Sequence, residues 1–220
     1  MQESGLHRSL FIAQTREHRE HEFRTLLDSE KEALRQAWQS EGMLTCALFC
    51  YQRLLFVYTE GLVARETLRW PDVFVPLLDD WPGRDQPRQA APMMDIYHNS
   101  RPVDGRSWRE GYVPERRHAT LAMLRPELYS SYIYYHYQLQ EESPGSFNKY
   151  YMIAAHENMI VSYSEFPAIK DIQAPSEGFD IKRSPKNWKD VMVPHFIPWS
   201  MKEEPELYLD MEHLFSFPAS

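Results

Sequence analysis

The chain has 220 residues, 43% of them apolar and 25% charged, with 8 Gly, 16 Pro and 2 Cys, a globular composition with enough length for one large domain or two small ones. No run approaches the roughly 18 consecutive apolar residues of a membrane span, and the opening MQESGLHR and SLFIA lack a signal-peptide hydrophobic segment, so a cytoplasmic protein with no membrane role is expected. A net charge of -8 without a block of Lys or Arg disfavours nucleic acid as a partner and leaves neutral or cationic small molecules.

The first apolar run, residues 9–15, has strand length. A helix follows from about Arg16 to Ser40, with strong helix formers in EKEALRQAWQ and an expected break near Asp28 and Ser29. Residues 46–60, CALFCYQRLLFVYTE, read as two strands around a turn at Gln52 and Arg53. On such a strand Cys46 and Cys50 lie about 13 Å apart on one face, beyond disulfide reach, which suits a reducing compartment. A second helix is expected from Trp70, kinked by Pro76, and then a short strand, MDIYH. Residues 98–115, HNSRPVDGRSWREGYVPE, read as a connector.

The second half repeats this order. A strand over 118–124 leads to a helix that Pro126 opens and Pro144-Gly145 stops. Two strands within 151–165 flank a turn at Glu157 and Asn158, a helix starts near Trp188, and EHLFSF is the last strand. The halves also align by identity. An offset of 118 pairs Trp70 with Trp188, Pro76 with Pro194, Trp81 with Trp199 and Met93 with Met211, among eight identities over 28 positions. Upstream the offset becomes 105, superposing Tyr58 on Tyr163 and Glu60 on Glu165, and then 109, superposing 8–16 on 117–125. Changing offsets mark insertions in loops, the largest within 167–186. The expected fold is therefore α+β: two tandem β-α-β-β-α-β units of the ferredoxin-like kind, residues 1–104 and 105–220, packed sheet to sheet as a pseudo-dimeric α/β barrel.

No G-x-G cradle, P-loop, G-x-S-x-G elbow or zinc-spaced Cys pair occurs. His18 and His21, among Glu17, Glu20 and Glu22, are candidate metal ligands on one helix face, although a solvated helix start explains the same residues, and no metal is expected. The informative segment is PELYSSYIYYHYQLQEE, residues 126–142. On a helix Tyr132 and His136 are neighbours one turn apart, flanked by Leu128, Tyr135 and Leu139. A helix packed by its tyrosines explains the segment too, but a histidine beside a phenol is also a competent proton-transfer couple.

On these residues the second repeat resembles the L-rhamnose mutarotase family. The resemblance is carried by Arg117, Ala119, Leu124, Pro126, Glu127, Tyr132 and His136, then Tyr151, Ile153 and Glu165, and finally Trp188, Lys189 and MEHLFSFP. It implies a cofactor-free isomerase that interconverts the anomers of a monosaccharide, with His136 as acid/base and proton donor and with Tyr132, Tyr151 and Trp188 as sugar contacts. It also implies a first repeat that has lost its site, because Phe23, Leu27 and Cys46 stand where the second repeat has Tyr132, His136 and Tyr151. The chain is then a monomer with an internal pseudo-dimer, and further self-association stays open. Two alternatives stay open: a non-catalytic carbohydrate-binding or sensing module, and a cofactor-free monooxygenase or heme-handling protein of the same barrel architecture.

Overall fold

The structure is a computed structural model that describes residues 5–83, 86–102, 108–171, 183–200 and 204–217. It is α+β and divides into two compact units. One comprises Met1–Met93, Pro102–Val113 and Glu212–Ser220; the other comprises Met94–Arg101 and Pro114–Met211. Among the described residues no helix is long and apolar enough to cross a membrane.

The first unit runs β1 (His7–Gln14), α1 (Glu20–Ser40), β2 (Met43–Tyr51), β3 (Leu54–Gly61), a 3-10 turn at Val75–Leu77 and β4 (Ala91–Pro92). Its antiparallel sheet has the order β4-β1-β3-β2, the 4-1-3-2 order of a split β-α-β arrangement. The helix α1 is continuous through Asp28 and Ser29, against the expected break. Phe23, Leu27, Leu34 and Trp38 form one buried stripe along it, and burying that stripe holds the helix across a weak local sequence. The second helix expected here is only the 3-10 turn. Pro71 biases Trp70 away from helical backbone, and Pro76 removes a donor.

The second unit opens with β5 (Met94–His98) and continues with β6 (Arg116–Leu124), a 3-10 turn at Pro126–Leu128 and α2 (Tyr129–Glu142). It then runs β7 (Met152–His156), β8 (Met159–Phe166), α3 (Trp188–Met192), a 3-10 turn at Val193–His195, β9 (Phe196–Ile197) and β10 (Leu209–Phe217). Here α3 does form, because Lys189 stands in the place of Pro71. β6 pairs with β8 and with β9, and β8 with β7, so the 4-1-3-2 order recurs.

The elements obey the offsets read from the sequence. β3 moved by 105 is β8, and the turn residues Gln52 and Glu157 have φ of 51° and 52°. The 3-10 turns Val75–Leu77 and Val193–His195 differ by 118. The last strand of each half, however, joins the other half's sheet. β5 pairs with β7, and residues 212–217 of β10 pair with β2 while Leu209–Met211 pair with β6. Much of the 167–186 insertion lies outside the described residues.

Each unit also buries a carboxylate at the repeated Tyr-x-Glu. Tyr58 donates to Glu60 at 2.5 Å, and Tyr163 donates to Glu165 at the same distance. Around Glu60 the connector supplies Arg109, at 2.6 and 2.9 Å, and the indole N–H of Trp108, at 2.8 Å. Burial pushes the Glu60 carboxyl up, but Arg109 and these donors outweigh it and hold the group below its ordinary range. Arg117 Nε lies 3.5 Å from Glu165.

Candidate functional site

The site is built on α2 of the second unit. Tyr132 and His136 are buried, whereas Tyr134 and Tyr137 on the other side are more than half exposed. The tyrosine-rich helix therefore has an inner and an outer face despite its nearly uniform apolarity. The Tyr132 and His136 rings lie 4.1 Å apart between centroids. From α3, the Trp188 ring meets His136 edge to face at 5.0 Å. Tyr151, just before β7, is half-buried by the protein surface and lies near the same group.

Tyr132, His136, Tyr151 and Trp188 all line one cavity of about 300 Å³. At roughly 30 Å³ per water-sized group, that holds about ten heavy atoms. Ala122, Ile153 and Ile160 supply an apolar wall, Thr120 and Ser162 a pair of hydroxyls on the sheet, and Tyr208 a half-exposed phenol. Among the described residues, none that lines it carries a carboxylate, ammonium or guanidinium.

The imidazole tautomer follows from its partner. His136 Nδ1 lies 2.9 Å from the Tyr132 carbonyl oxygen, which can only accept, so Nδ1 carries the proton and Nε2 keeps its lone pair. Burial, which strips water from the imidazolium, lowers the His136 pKa to about 4; the carbonyl contact opposes this and His195 adds to it. At neutral pH the ring is thus an uncharged proton acceptor. A proton-donor role such as the resemblance implies for His136 would start from this neutral ring. Burial pushes the phenols the other way. Tyr151 and Tyr132 are raised well above their ordinary value, first by burial and then by neighbouring phenols. They remain O–H donors.

Four further residues contribute that the sequence does not single out. Tyr97 on β5 packs against His136 at 5.7 Å and against Tyr151 at 5.9 Å, and burial pushes its phenol up to about 12. It belongs to the first half of the chain and arrives by strand exchange, which local pattern does not reveal. Tyr208 comes from an irregular segment. Thr120 and Ser162 sit on strands whose alternation looked ordinary. The metal candidates fare differently, because His18 precedes α1 with φ of 65° and is exposed, so it shares no helix face with His21. No metal-binding group of three or more His, Cys, Asp or Glu occurs among the described residues.

The first unit shows what happens without the polar set. Phe23, Leu27, Cys46 and Trp70, the counterparts of the four site residues, all belong to one buried apolar core. Trp38 packs against Trp70 at 5.2 Å and donates its indole N–H to the Arg69 carbonyl at 2.8 Å.

No family model and no curated protein matches the chain. Among solved structures it is similar to a candidate monooxygenase of Fusobacterium nucleatum, at 8% identity over 98% of this chain and 95% of that one, with a TM-score of 0.44. It is also similar to an anthrone oxidase-like protein, at 13% identity over 99% and 94%, with a TM-score of 0.42. Neither is described as a mutarotase, and at these scores the likeness identifies no activity.

Proposed function

We propose that the second unit is a cofactor-free isomerase of the mutarotase type, acting on a neutral monosaccharide, with the first unit as its degenerate structural partner in an internal pseudo-dimer. The observation that carries this reading is the convergence of Tyr132, His136, Tyr151 and Trp188 on one uncharged cavity, with a neutral base facing protonated phenols.

Ring opening needs one proton to leave the anomeric hydroxyl and one to reach the ring oxygen. His136 Nε2 takes the first, and the hydroxyl of Tyr151 or Tyr132 gives the second, while the bond from the anomeric carbon to the ring oxygen breaks to leave an aldehyde. The aldehyde turns, the same groups return their protons, and the ring closes on the other face. Depressed imidazolium stability hastens the return from His136, and raised phenol pKa values hasten the return to the tyrosine. Trp188 offers its flat apolar face to the C–H side of the sugar.

Positioned acid/base catalysis contributes roughly 10²–10⁴-fold. His136→Ala is expected to slow anomer exchange by that factor, about 3–5 kcal/mol of barrier, in saturation-transfer NMR over a panel of monosaccharides. An unchanged rate removes His136 from the mechanism. If the wild-type chain binds sugars but leaves every exchange rate at the buffer value, the unit is a carbohydrate-binding module.

The apolar wall of Ala122, Ile153 and Ile160 favours a second reading, in which His136 Nε2 takes a proton from a flat phenolic or enolisable substrate that then reacts with oxygen. Oxygen consumption with such substrates, abolished in His136→Ala, would select it.

A further inference from the structure

The two repeats let each position of the cavity be compared with its counterpart in the same chain. Thr120 and Ser162 face each other across β6 and β8, with their hydroxyl oxygens 2.7 Å apart. Their counterparts by the offsets of 109 and 105 are Phe11 and Val57, which face each other across β1 and β3 in the same way. Phe11 and Val57 are fully buried in the apolar core of the first unit. Thr120 and Ser162 are only partly buried and border the cavity. At the wall positions, by contrast, the character does not change: Ala122 and Ile160 stand where the first unit has Ala13 and Leu55.

Replacing an apolar pair with hydroxyls on the floor of a sheet costs free energy unless the hydroxyls find partners. Ser162 also lies close enough to the Tyr151 phenol to oppose the rise of its pKa. Each hydroxyl has one proton and two lone pairs. The bond between Thr120 and Ser162 uses one proton and one lone pair, so one donor and three lone pairs of the pair remain for something in the cavity. Only a ligand that both donates and accepts can use both. A flat hydrocarbon face leaves them unsatisfied.

We infer that Thr120 and Ser162 form a specificity subsite that takes a hydroxyl of a polyhydroxylated, uncharged ligand and fixes its orientation against Tyr151. The inference rests on reading the cavity as a sugar site. The subsite selects sugar over flat aromatic ligands of equal size, and its effect falls on binding, since the reacting protons belong to His136 and the phenols.

The test is titration calorimetry with L-rhamnose, L-fucose, D-glucose, D-galactose and D-mannose on the full chain. For the sugar bound best, the double variant Thr120→Val, Ser162→Ala is expected to raise Kd at least tenfold, whereas Thr120→Ser changes it less than threefold. A second measurement needs no variant. Among singly deoxygenated analogues of that sugar, one should bind the wild type at least tenfold more weakly. Equal Kd values for wild type and double variant, or equal binding of every deoxy analogue, overturn the subsite while the sugar reading stands. A wild type that binds none of the five sugars overturns both.

Discussion

A buried neutral imidazole makes a prediction that requires no knowledge of the substrate. His136 is held at a pKa of about 4, against an ordinary 6.5. Between those values the unfolded chain binds a proton that the folded chain refuses, so folding stability must rise with pH across that window and fall as pH drops through it. A gap of about 2.5 units corresponds to about 3.4 kcal/mol at full development, and by pH 5 about 2 kcal/mol of it is already lost relative to pH 7.5. His136→Gln removes this group and leaves the other eight of the nine histidines in place. Urea unfolding of wild type and His136→Gln at pH 7.5 and pH 5 isolates the term. The wild type should lose about 2 kcal/mol more than the variant. The imidazole carbon shifts in NMR should also show one histidine, absent in the variant, that does not titrate above pH 5. Parallel pH dependences, or a His136 resonance that titrates near 6.5, would refute the claim that this ring sits in a dry, uncharged wall.

Two predictions concern the first unit. Trp38→Ala deletes a fully buried ring between Trp70 and Phe215 and should destabilise by about 3–5 kcal/mol in urea, while His136 keeps its NMR titration; a loss under 1 kcal/mol would mean the core there is not close-packed. Glu60→Gln leaves the Arg109 guanidinium, itself 8% exposed, without its counter-charge. It should cost about 3–5 kcal/mol, read from the urea midpoint, and a near-neutral effect would show that Arg109 turns to solvent instead.

How much of this could be read beforehand depended on whether the signal was local or long-range. The hairpin turns at Gln52 and Glu157, the strand registers at offsets 105 and 109, and the inward side of α2 were legible because they follow from spacing along one segment. Tyr132, His136, Tyr151 and Trp188, named through two neighbours on one helix face and a family resemblance, do line one cavity. The first unit's second helix shrinks to a 3-10 turn because Pro71 and Pro76 act together on the four residues between them, where one proline alone would only kink it. The exchange of β5 and β10 left no trace in pattern. MDIYH alternates well enough to join either sheet, so its pattern does not reveal that Tyr97 packs against His136. Thr120 and Ser162 escaped for a different reason. Each is an ordinary strand residue alone, and they become notable only when their facing register is compared with Phe11 and Val57.

That comparison also bears on whether the cavity is an accident of packing. A dry void of about 300 Å³ would forfeit about 7 kcal/mol at roughly 24 cal/mol per Å³, and water in a half-open, hydroxyl-lined pocket recovers only part of that. The same fold in the same chain demonstrates the cheaper solution. With Phe11, Phe23, Leu27, Trp38 and Val57 the first unit closes over the corresponding positions as continuous core. The second unit keeps the opening, and at its polar lining positions, Tyr132, His136, Tyr151, Thr120, Ser162 and Tyr208, the two units differ in chemical character. Stability alone would favour the first solution in both units. The lining of the second is accounted for when a small neutral ligand supplies the missing contacts, so a ligand that binds there should stabilise the fold by mass action, by about 2.7 kcal/mol at a hundred times its Kd, and raise the midpoint of unfolding accordingly. A panel screened by thermal shift, with His136→Ala and the Thr120→Val, Ser162→Ala variant as controls, turns that expectation into a search for the ligand. A ligand that stabilises all three proteins equally would have to bind elsewhere.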